Sequence, residues 1–520
     1  MKLHAIGLGV MLASATAAQA QEIETITVVG STQNITVTDP SQDFTLIEAL
    51  IPSSAFTAGG IGGFAGYNER GTQPIHTTIY RNGVPANDAG SGWYDFGHDV
   101  ATGREMVRTV SSANGVLYGS GSLGGTVFIN DLLSEGSVVR ISDKSGLISS
   151  TFKDLFQVSY LKVNNGSVRT DNPETDLYEN ITAKTMFKVA GFTVAGNFTD
   201  YAYDYDDCYT LSYAPTNECK QRGQRGGISI RDDNFTLGYN QNNAKFYSEN
   251  ELTWSSKAVR YYADAHEQVT MIPGVALTAG VTYQREEYAG QNQDELSAYG
   301  LLNMNDLVDL GVRANKDNAV VRAGFSYDSF FASVGTGYRR PTLYELNGDG
   351  WVTANPDLKA EQSVGYEVGY GPVSFFRYDF SEGINYDFLN NQFTNTGKYR
   401  SQGVRVNETF SFDSNRISIY AGYTDSDLPR TPKYNGKVTY TKRVNDNSFS
   451  LSYAAMFDRG VDTLGGKLDD ISTFDFVFSK KLTKNTVMNF TVQDIFDRRF
   501  EVTPGYGAGG RRFYLTITYK

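Results

Sequence analysis

After its first 20 residues, this 520-residue chain holds no uncharged apolar run near 18 residues, which leaves helical membrane spans out of account. Basic stripes are also missing. Lys and Arg number 46 against 58 Asp and Glu, a net charge of −12, and that balance argues against nucleic acid as a partner. Histidine is scarce: His4, His76, His98 and His266 are the four present, and none stands in a Ser/His/Asp spacing. A clustered nucleophile and base, which an enzyme would need, is therefore not found. The glycine-rich stretch at 59–66 is not followed by Lys-Ser/Thr, so it is not a phosphate loop. Proline is held to 13 residues, and long irregular segments are not stiffened by it. The two cysteines, Cys208 and Cys219, close a short loop. In an exported chain the default is a disulfide between them; two free thiols are the alternative, and metal binding is less favoured with no histidine nearby.

What is abundant points elsewhere. There are 34 Tyr and 31 Phe, as expected for two aromatic girdles at membrane interfaces, and 53 Gly, suited to turns and tight loops. Mean hydropathy is −0.36. Such a value suits a soluble protein, but also a membrane barrel, whose strands hide apolar residues at every second position. Residues 1–20 read as an export leader. Lys2 gives a positive start, 5–18 is mostly small and apolar, and Ala18-Gln19-Ala20 places cleavage before Gln21. At the other end, Phe513, Leu515, Ile517 and Tyr519 fall on one face of a strand, and Tyr514, Thr516, Thr518 and Lys520 on the other.

Between these ends the pattern changes once. Residues 22–30 (EIETITVVG) form a β-prone run in a polar leader, either an ordinary first strand or a strand suited to adding onto another protein's sheet edge. Residues 41–133 have globular character, with a strand at 77–80, a turn at 81–83 and a strand at 126–129. From about 134 the chain repeats strand, turn, strand: Val275, Leu277, Ala279, Val281 and Tyr283 share a face, as do Val364, Tyr366, Val368 and Tyr370, and Ile417, Ile419, Ala421 and Tyr423. One closed barrel satisfies so many strand edges most simply. At about 11 residues per strand, 22 strands fit, and so do 16 or 18 with longer loops.

A series of motifs in order carries a resemblance. They are ETITVV at 24–29, the segment from Phe44 to Leu50 ahead of Pro52, Arg70-Gly71, IYRNGVP at 79–85, GVLYGSGSLGGTVFI at 115–129, YRRPTLYEL at 338–346 with NPDLKAE at 355–361, and FTVQDIFDRRF at 490–500. The chain thereby resembles the TonB-dependent outer-membrane receptors over essentially its whole exported length. The resemblance implies an all-β membrane protein, a 22-stranded antiparallel transmembrane β-barrel closed by an N-terminal globular α+β plug. The divisions are 1–20 signal peptide, 21–40 TonB box and leader, 41–133 plug and 134–520 barrel. It further implies active uptake of a scarce metal chelate with no reaction chemistry and no resident cofactor. The partners implied are TonB with ExbB and ExbD, the outer-membrane lipid and the barrel-assembly machinery, and the protein is expected as a monomer. The TonB box would be Glu24, Thr25, Ile26, Thr27, Val28 and Val29. In the family, plug arginines pair with barrel glutamates, so Arg70 is expected to meet Glu345 or Glu361. The chain departs from the family in having Arg81-Asn82 where an Asp is usual, Ser112-Ala113-Asn114 where an Arg is common, and Lys520 where a Phe is usual.

By position, ligand contacts come from plug apices: Phe64 and Tyr67, and Asp88, Ser91, Trp93 and Tyr94. Tyr67, Trp93 and Tyr94 could stack on a planar or macrocyclic ligand, or merely pack the plug against the wall. Bases after the cysteine loop (Lys220, Arg222, Arg225) could attract an anionic ferric siderophore, and acids before it (Asp204, Asp206, Asp207) could chelate calcium. Alternatively, both are a solvated charged loop. Haem is disfavoured because WVTA at 351–354 puts no histidine between the two barrel motifs, although His98 could still ligate iron. The compact length and the 87–92 segment are similar to the cobalamin receptors, so the cargo is expected to be a ferric siderophore or cobalamin. Another nutrient, or a passive porin-like channel, is the remaining alternative. A signalling form would carry an extra domain ahead of the TonB box, where only 21–23 stand.

Overall fold

The computed structural model describes residues 33–41, 45–47, 55–57, 62–111, 115–164, 176–349, 351–460, 466–503 and 506–520. The export leader and the TonB-box residues 24–29 lie outside the described residues, as does most of the 44–50 segment.

Twenty-two strands close into one barrel, each antiparallel to its neighbours in sequence order, and Arg512–Tyr519 seals the ring against Gly136–Ile141. The pleat decides which residues face lipid. In the sealing strand Phe513, Leu515, Ile517 and Tyr519 are exposed, whereas Tyr514 and Thr516 are buried against the interior. Val364, Tyr366, Val368 and Tyr370 follow the same rule on Glu361–Tyr370, with Glu361, Ser363 and Glu367 turned inward. Aromatics mark one edge of the lipid band beside the tight turns: Phe152 and Phe156, Tyr327 and Phe330, Tyr370 and Phe412. Tyr261 and Tyr283 mark the other edge.

One rim carries only connections of two to four residues, and the opposite rim carries the long ones, the longest spanning 340–360. In outer-membrane barrels the short turns are periplasmic, so the long connections are external. The strands are unequal, from Gly136–Ile141 (6 residues) to Glu251–Ile272 (22 residues). Near the longest strand the external connections shrink to residues 249–250 and 289–290, and the wall itself projects outward.

The plug is a mixed five-stranded sheet inside the barrel, ordered Gln33–Val37, Glu105–Ser111, Gly125–Asp131, Thr77–Arg81, Val84–Pro85. Thr77–Arg81 and Gly125–Asp131 run parallel, and the other neighbours are antiparallel. Gln33–Val37 pairs with Glu105–Ser111, so the plug sheet starts ahead of residue 41, where the sequence pattern had placed the boundary. Its core is Leu46, Ile79, Phe96, Val107, Val127 and Ile129. Helical geometry in the plug is limited to short turns among the described residues, such as Gly115–Tyr118. Gly115 packs so closely on the barrel strand Phe330–Arg339 that a Cβ would sit 2.9 Å from the carbonyl oxygen of Thr336.

Candidate functional site: the plug apex and the barrel mouth

Two apical segments of the plug reach toward the external rim, and the sequence sets their shapes. Asp88 organises the second one. Its Oδ1 accepts from the backbone N–H groups of Gly90 and Ser91, at 2.9 and 2.7 Å, and from the Ser91 hydroxyl at 3.0 Å. Its Oδ2 accepts from Asn242 of the wall at 2.9 Å, so the loop is tied to the barrel as well. Asp95 joins the two apices: its Oδ1 accepts from the N–H of Ala65 at 2.9 Å and of Gly97 at 2.8 Å. Gly97 is required there, because a Cβ would lie 2.0 Å from the Gly63 carbonyl oxygen.

The expected contact residues separate into two groups. Phe64 and Trp93 stand edge to face with centroids 5.4 Å apart, are only partly buried and remain at the apex. Ser91 is partly exposed beside them. Tyr67 and Tyr94 point into the plug and pack edge-on against Phe96, at 6.5 and 4.7 Å. The Tyr94 hydroxyl donates to Asp99 at 2.6 Å, and burial together with that carboxylate pushes its pKa well up. A cavity of about 50 Å³ between apex and wall, lined by Arg81, Trp93, Tyr94, His98 and Arg225 among others, holds water-sized groups and not a chelate.

Three buried ionic clusters dock the plug. Arg81 pairs with Asp99 (2.7 Å) and Asp131 (3.1 Å). The wall answers with Arg225 on Asp99 (2.6 Å) and Lys184 on Asp131 (3.0 Å) and Glu105. Burial alone would raise the Asp131 and Glu105 carboxyls, but the cations of Arg81 and Lys184 outweigh it, and both are held below the ordinary carboxylate range. In the second cluster Arg70 pairs with Glu367 at 2.6 Å and donates to the Tyr378 hydroxyl at 2.9 Å. This corrects the expected partners: Glu345 and Glu361 both grip Arg339 of the barrel instead. Glu345 belongs to the short helix Leu343–Asn347, where it also caps Thr342, so its carboxylate is already engaged. The third cluster joins plug to wall through His76 and Glu361 at 3.1 Å.

The basic residues after the cysteine loop do not act together. Arg225 turns inward to Asp99, whereas Lys220 and Arg222 lie on the opposite face of the strand Cys219–Arg231, with Lys220 paired to Asp204 at 2.9 Å. Among the described residues no group of three or more His, Cys, Asp or Glu side chains is placed to hold a metal ion. His98 is stacked on Tyr201 beside Asp95, His76 is at Glu361, and His266 lies 2.8 Å from Asp264; each has a neighbour in the wall or plug. Cys208 and Cys219 are joined in a disulfide, which closes a loop containing the hairpin Cys208–Tyr209 with Pro215–Thr216.

Aromatic residues outside the expected ligand contacts build the rest of the mouth. The backbone N–H of Tyr344 donates to the Gly90 carbonyl at 3.1 Å, which seats the 340–360 connection on the plug apex. From there rings run Tyr288, Tyr344, Phe393 and Tyr386, with successive centroids 6.4, 5.8 and 5.3 Å apart. Tyr213 of the disulfide loop meets Trp351 at 4.9 Å, and Phe388 and Leu389 stand almost bare at 77% and 96% exposure. Exposed apolar side chains in external loops are the signal that could have found them.

A closed 22-stranded barrel filled by a plug that buried ion pairs dock to its wall is the architecture of an outer-membrane receptor. Residues 30–495 match the TonB dependent receptor-like β-barrel family, and the chain belongs to that family. Solved structures of similar fold include the ferric enterobactin receptor PfeA of Pseudomonas aeruginosa, as a variant in complex with enterobactin (TM-score 0.72, 15% identity, 95% of this chain and 100% of that one). The siderophore receptors PirA (TM-score 0.69, 15% identity, 94% and 98%) and PiuA (TM-score 0.71, 14% identity, 98% and 99%) of Acinetobacter baumannii are also similar.

Proposed function

We propose that the protein imports a ferric siderophore across the outer membrane, driven by TonB through residues 24–29. The observation that carries this reading is the barrel mouth: an aromatic-lined funnel whose floor, the plug apex at Phe64, Ser91 and Trp93, is tied to the wall by hydrogen bonds and ion pairs. Aromatic rings bury the organic shell of a chelate, and a docked plug denies it passive entry. The enterobactin and siderophore receptors of similar fold favour an iron chelate over cobalamin. Haem is not favoured, because His76, His98 and His266 are engaged away from the mouth. Residues 24–29 would add as a strand to a sheet edge of TonB, and a pull there would be transmitted to Gln33–Val37, the first strand of the plug sheet.

The test has two readouts. Purified receptor is incubated with a mixture of ferric siderophores and cobalamins, and what it retains is read by metal analysis and mass spectrometry. Iron with an organic chelate supports the reading, and cobalt with a corrin overturns the cargo. Deleting residues 24–29 is expected to abolish uptake of the retained compound while surface binding persists. Unchanged uptake overturns the TonB coupling.

A further inference from the structure

The outer wall carries a basic cavity. Interior and exterior faces are fixed by contacts with the plug: Arg225, Asn242 and Arg260 reach inward to Asp95, Asp88 and Asn87, so their strand neighbours of opposite parity face out. On that outward face, Arg222, Lys245 and Lys257 line a cavity of about 1030 Å³ on three adjacent strands. Arg222 lies opposite Lys245 in the register, and Lys257 opposite Asn243.

The charges around it are satisfied and these three are not. Lys162 pairs with Glu179, Lys220 with Asp204 and Arg285 with Glu287 on the same belt of the barrel. The two carboxylates lining the cavity are engaged: Asp200 accepts from Gln224 at 2.7 Å, and Glu287 is held by Arg285 at 2.9 Å. Among the described residues, no carboxylate forms an ion pair with Arg222, Lys245 or Lys257; Arg222 lies over the Tyr247 ring at 5.9 Å.

Height in the membrane decides what can reach them. Directly below the cavity the outward positions are Ile228, Leu237 and Tyr261, exposed apolar residues of the lipid band. Lys257 lies four residues beyond Tyr261, about 13 Å along the strand and less along the membrane normal because barrel strands tilt. That is the headgroup layer of the external leaflet. We propose that Arg222, Lys245 and Lys257 form a docking site for the phosphorylated sugar headgroup of an anionic glycolipid in the external leaflet. The cavity opens outward beside the lipid-facing band and presents three cations without carboxylate partners to phosphate.

The full-length receptor, stripped of lipid in a neutral detergent, is titrated with fluorescent bisphosphorylated lipid A, with its dephosphorylated form, and with inorganic phosphate as competitor. The variant Arg222→Gln/Lys245→Gln/Lys257→Gln is expected to bind lipid A on the order of a hundredfold more weakly, from roughly fivefold per cation near a membrane surface. Dephosphorylated lipid A is expected to lose affinity for the unmodified receptor to a similar degree, and Lys220→Gln to change little. Equal affinity for the triple variant, or for the dephosphorylated lipid, overturns the proposal. Displacement by inorganic phosphate at matching concentrations would reassign the site to free phosphate and overturn the lipid reading. If the triple variant does not fold, as judged by heat-modifiable gel migration, Lys257→Gln alone must still show its severalfold loss.

Discussion

Replacing Glu367 by Gln tests how the plug is held. Arg70 and Glu367 are each 2% exposed in their side chains and lie 2.6 Å apart, so the variant removes a carboxylate charge set directly against a buried guanidinium. Breaking a buried pair from one side costs about 3–5 kcal/mol. Arg70 keeps the Tyr378 hydroxyl at 2.9 Å and the Phe376 ring at 4.9 Å, and the new amide oxygen can still accept, so the low end, about 3 kcal/mol, applies. The plug carries one of the three tryptophans, Trp93, and Trp254→Phe/Trp351→Phe isolates its fluorescence. With a urea slope of roughly 1.5 kcal/mol per molar for a unit of this size, the plug transition should fall by about 2 M while the barrel keeps its heat-modifiable migration. Adding Arg70→Met to Glu367→Gln removes the guanidinium as well and should restore most of the loss. A midpoint unmoved by Glu367→Gln, or a double variant worse than the single one, would refute the reasoning.

Four further outcomes are expected. Because Asp131 and Glu105 titrate below their ordinary values when folded, their contribution is complete above about pH 5 and is lost as pH falls through the depressed folded values; Trp93 fluorescence in urea should give a plug midpoint flat from about pH 7 to about 5.5 and falling below about 5. Gly97→Ala forces a Cβ against the Gly63 carbonyl and should cost the plug roughly 1–3 kcal/mol in the same assay. Cys208→Ser/Cys219→Ser should loosen only the external loop, seen as faster protease cleavage between residues 208 and 219 with the barrel intact; the chain-entropy estimate for a loop of this length is about 3 kcal/mol. Trp93→Ala and Tyr344→Ala should each weaken binding of the retained chelate by more than about tenfold, as expected for a central aromatic anchor, and an unchanged dissociation constant would move the site elsewhere.

The barrel was legible because its signal is a period of two, repeated strand after strand: the face carrying Phe513, Leu515, Ile517 and Tyr519 is the exposed one. The same period separates residues that look grouped along the chain. Lys220, Arg222 and Arg225 form a basic group only when read along the chain; the pleat sends Arg225 to the interior and the other two to the outside. The motifs offer Arg70 the glutamates at 345 and 361, whereas its partner is Glu367, an acid on the face opposite Val364, Tyr366 and Val368. An inward acid among lipid-facing neighbours was visible in the alternation. Strand number was not, since lengths range from 6 to 22 residues and external connections shrink to two. The mouth was read only in part, because loop aromatics carry no periodicity and meet through tertiary contacts such as Tyr213 with Trp351.

The seam between Gly136–Ile141 and Arg512–Tyr519 sets the order of assembly. Ser137 and Tyr519 become neighbours only when every intervening strand is in place, so ring closure is the pairing with the greatest entropic cost and belongs at the end of folding. Until then the growing sheet has two raw edges, each a template for pairing with the wrong chain. A nascent receptor therefore needs its edges shielded until the last hairpin arrives. The plug, whose strands precede the seam in the chain, must be enclosed as the ring shuts or enter through a rim, because the shut ring leaves no lateral opening.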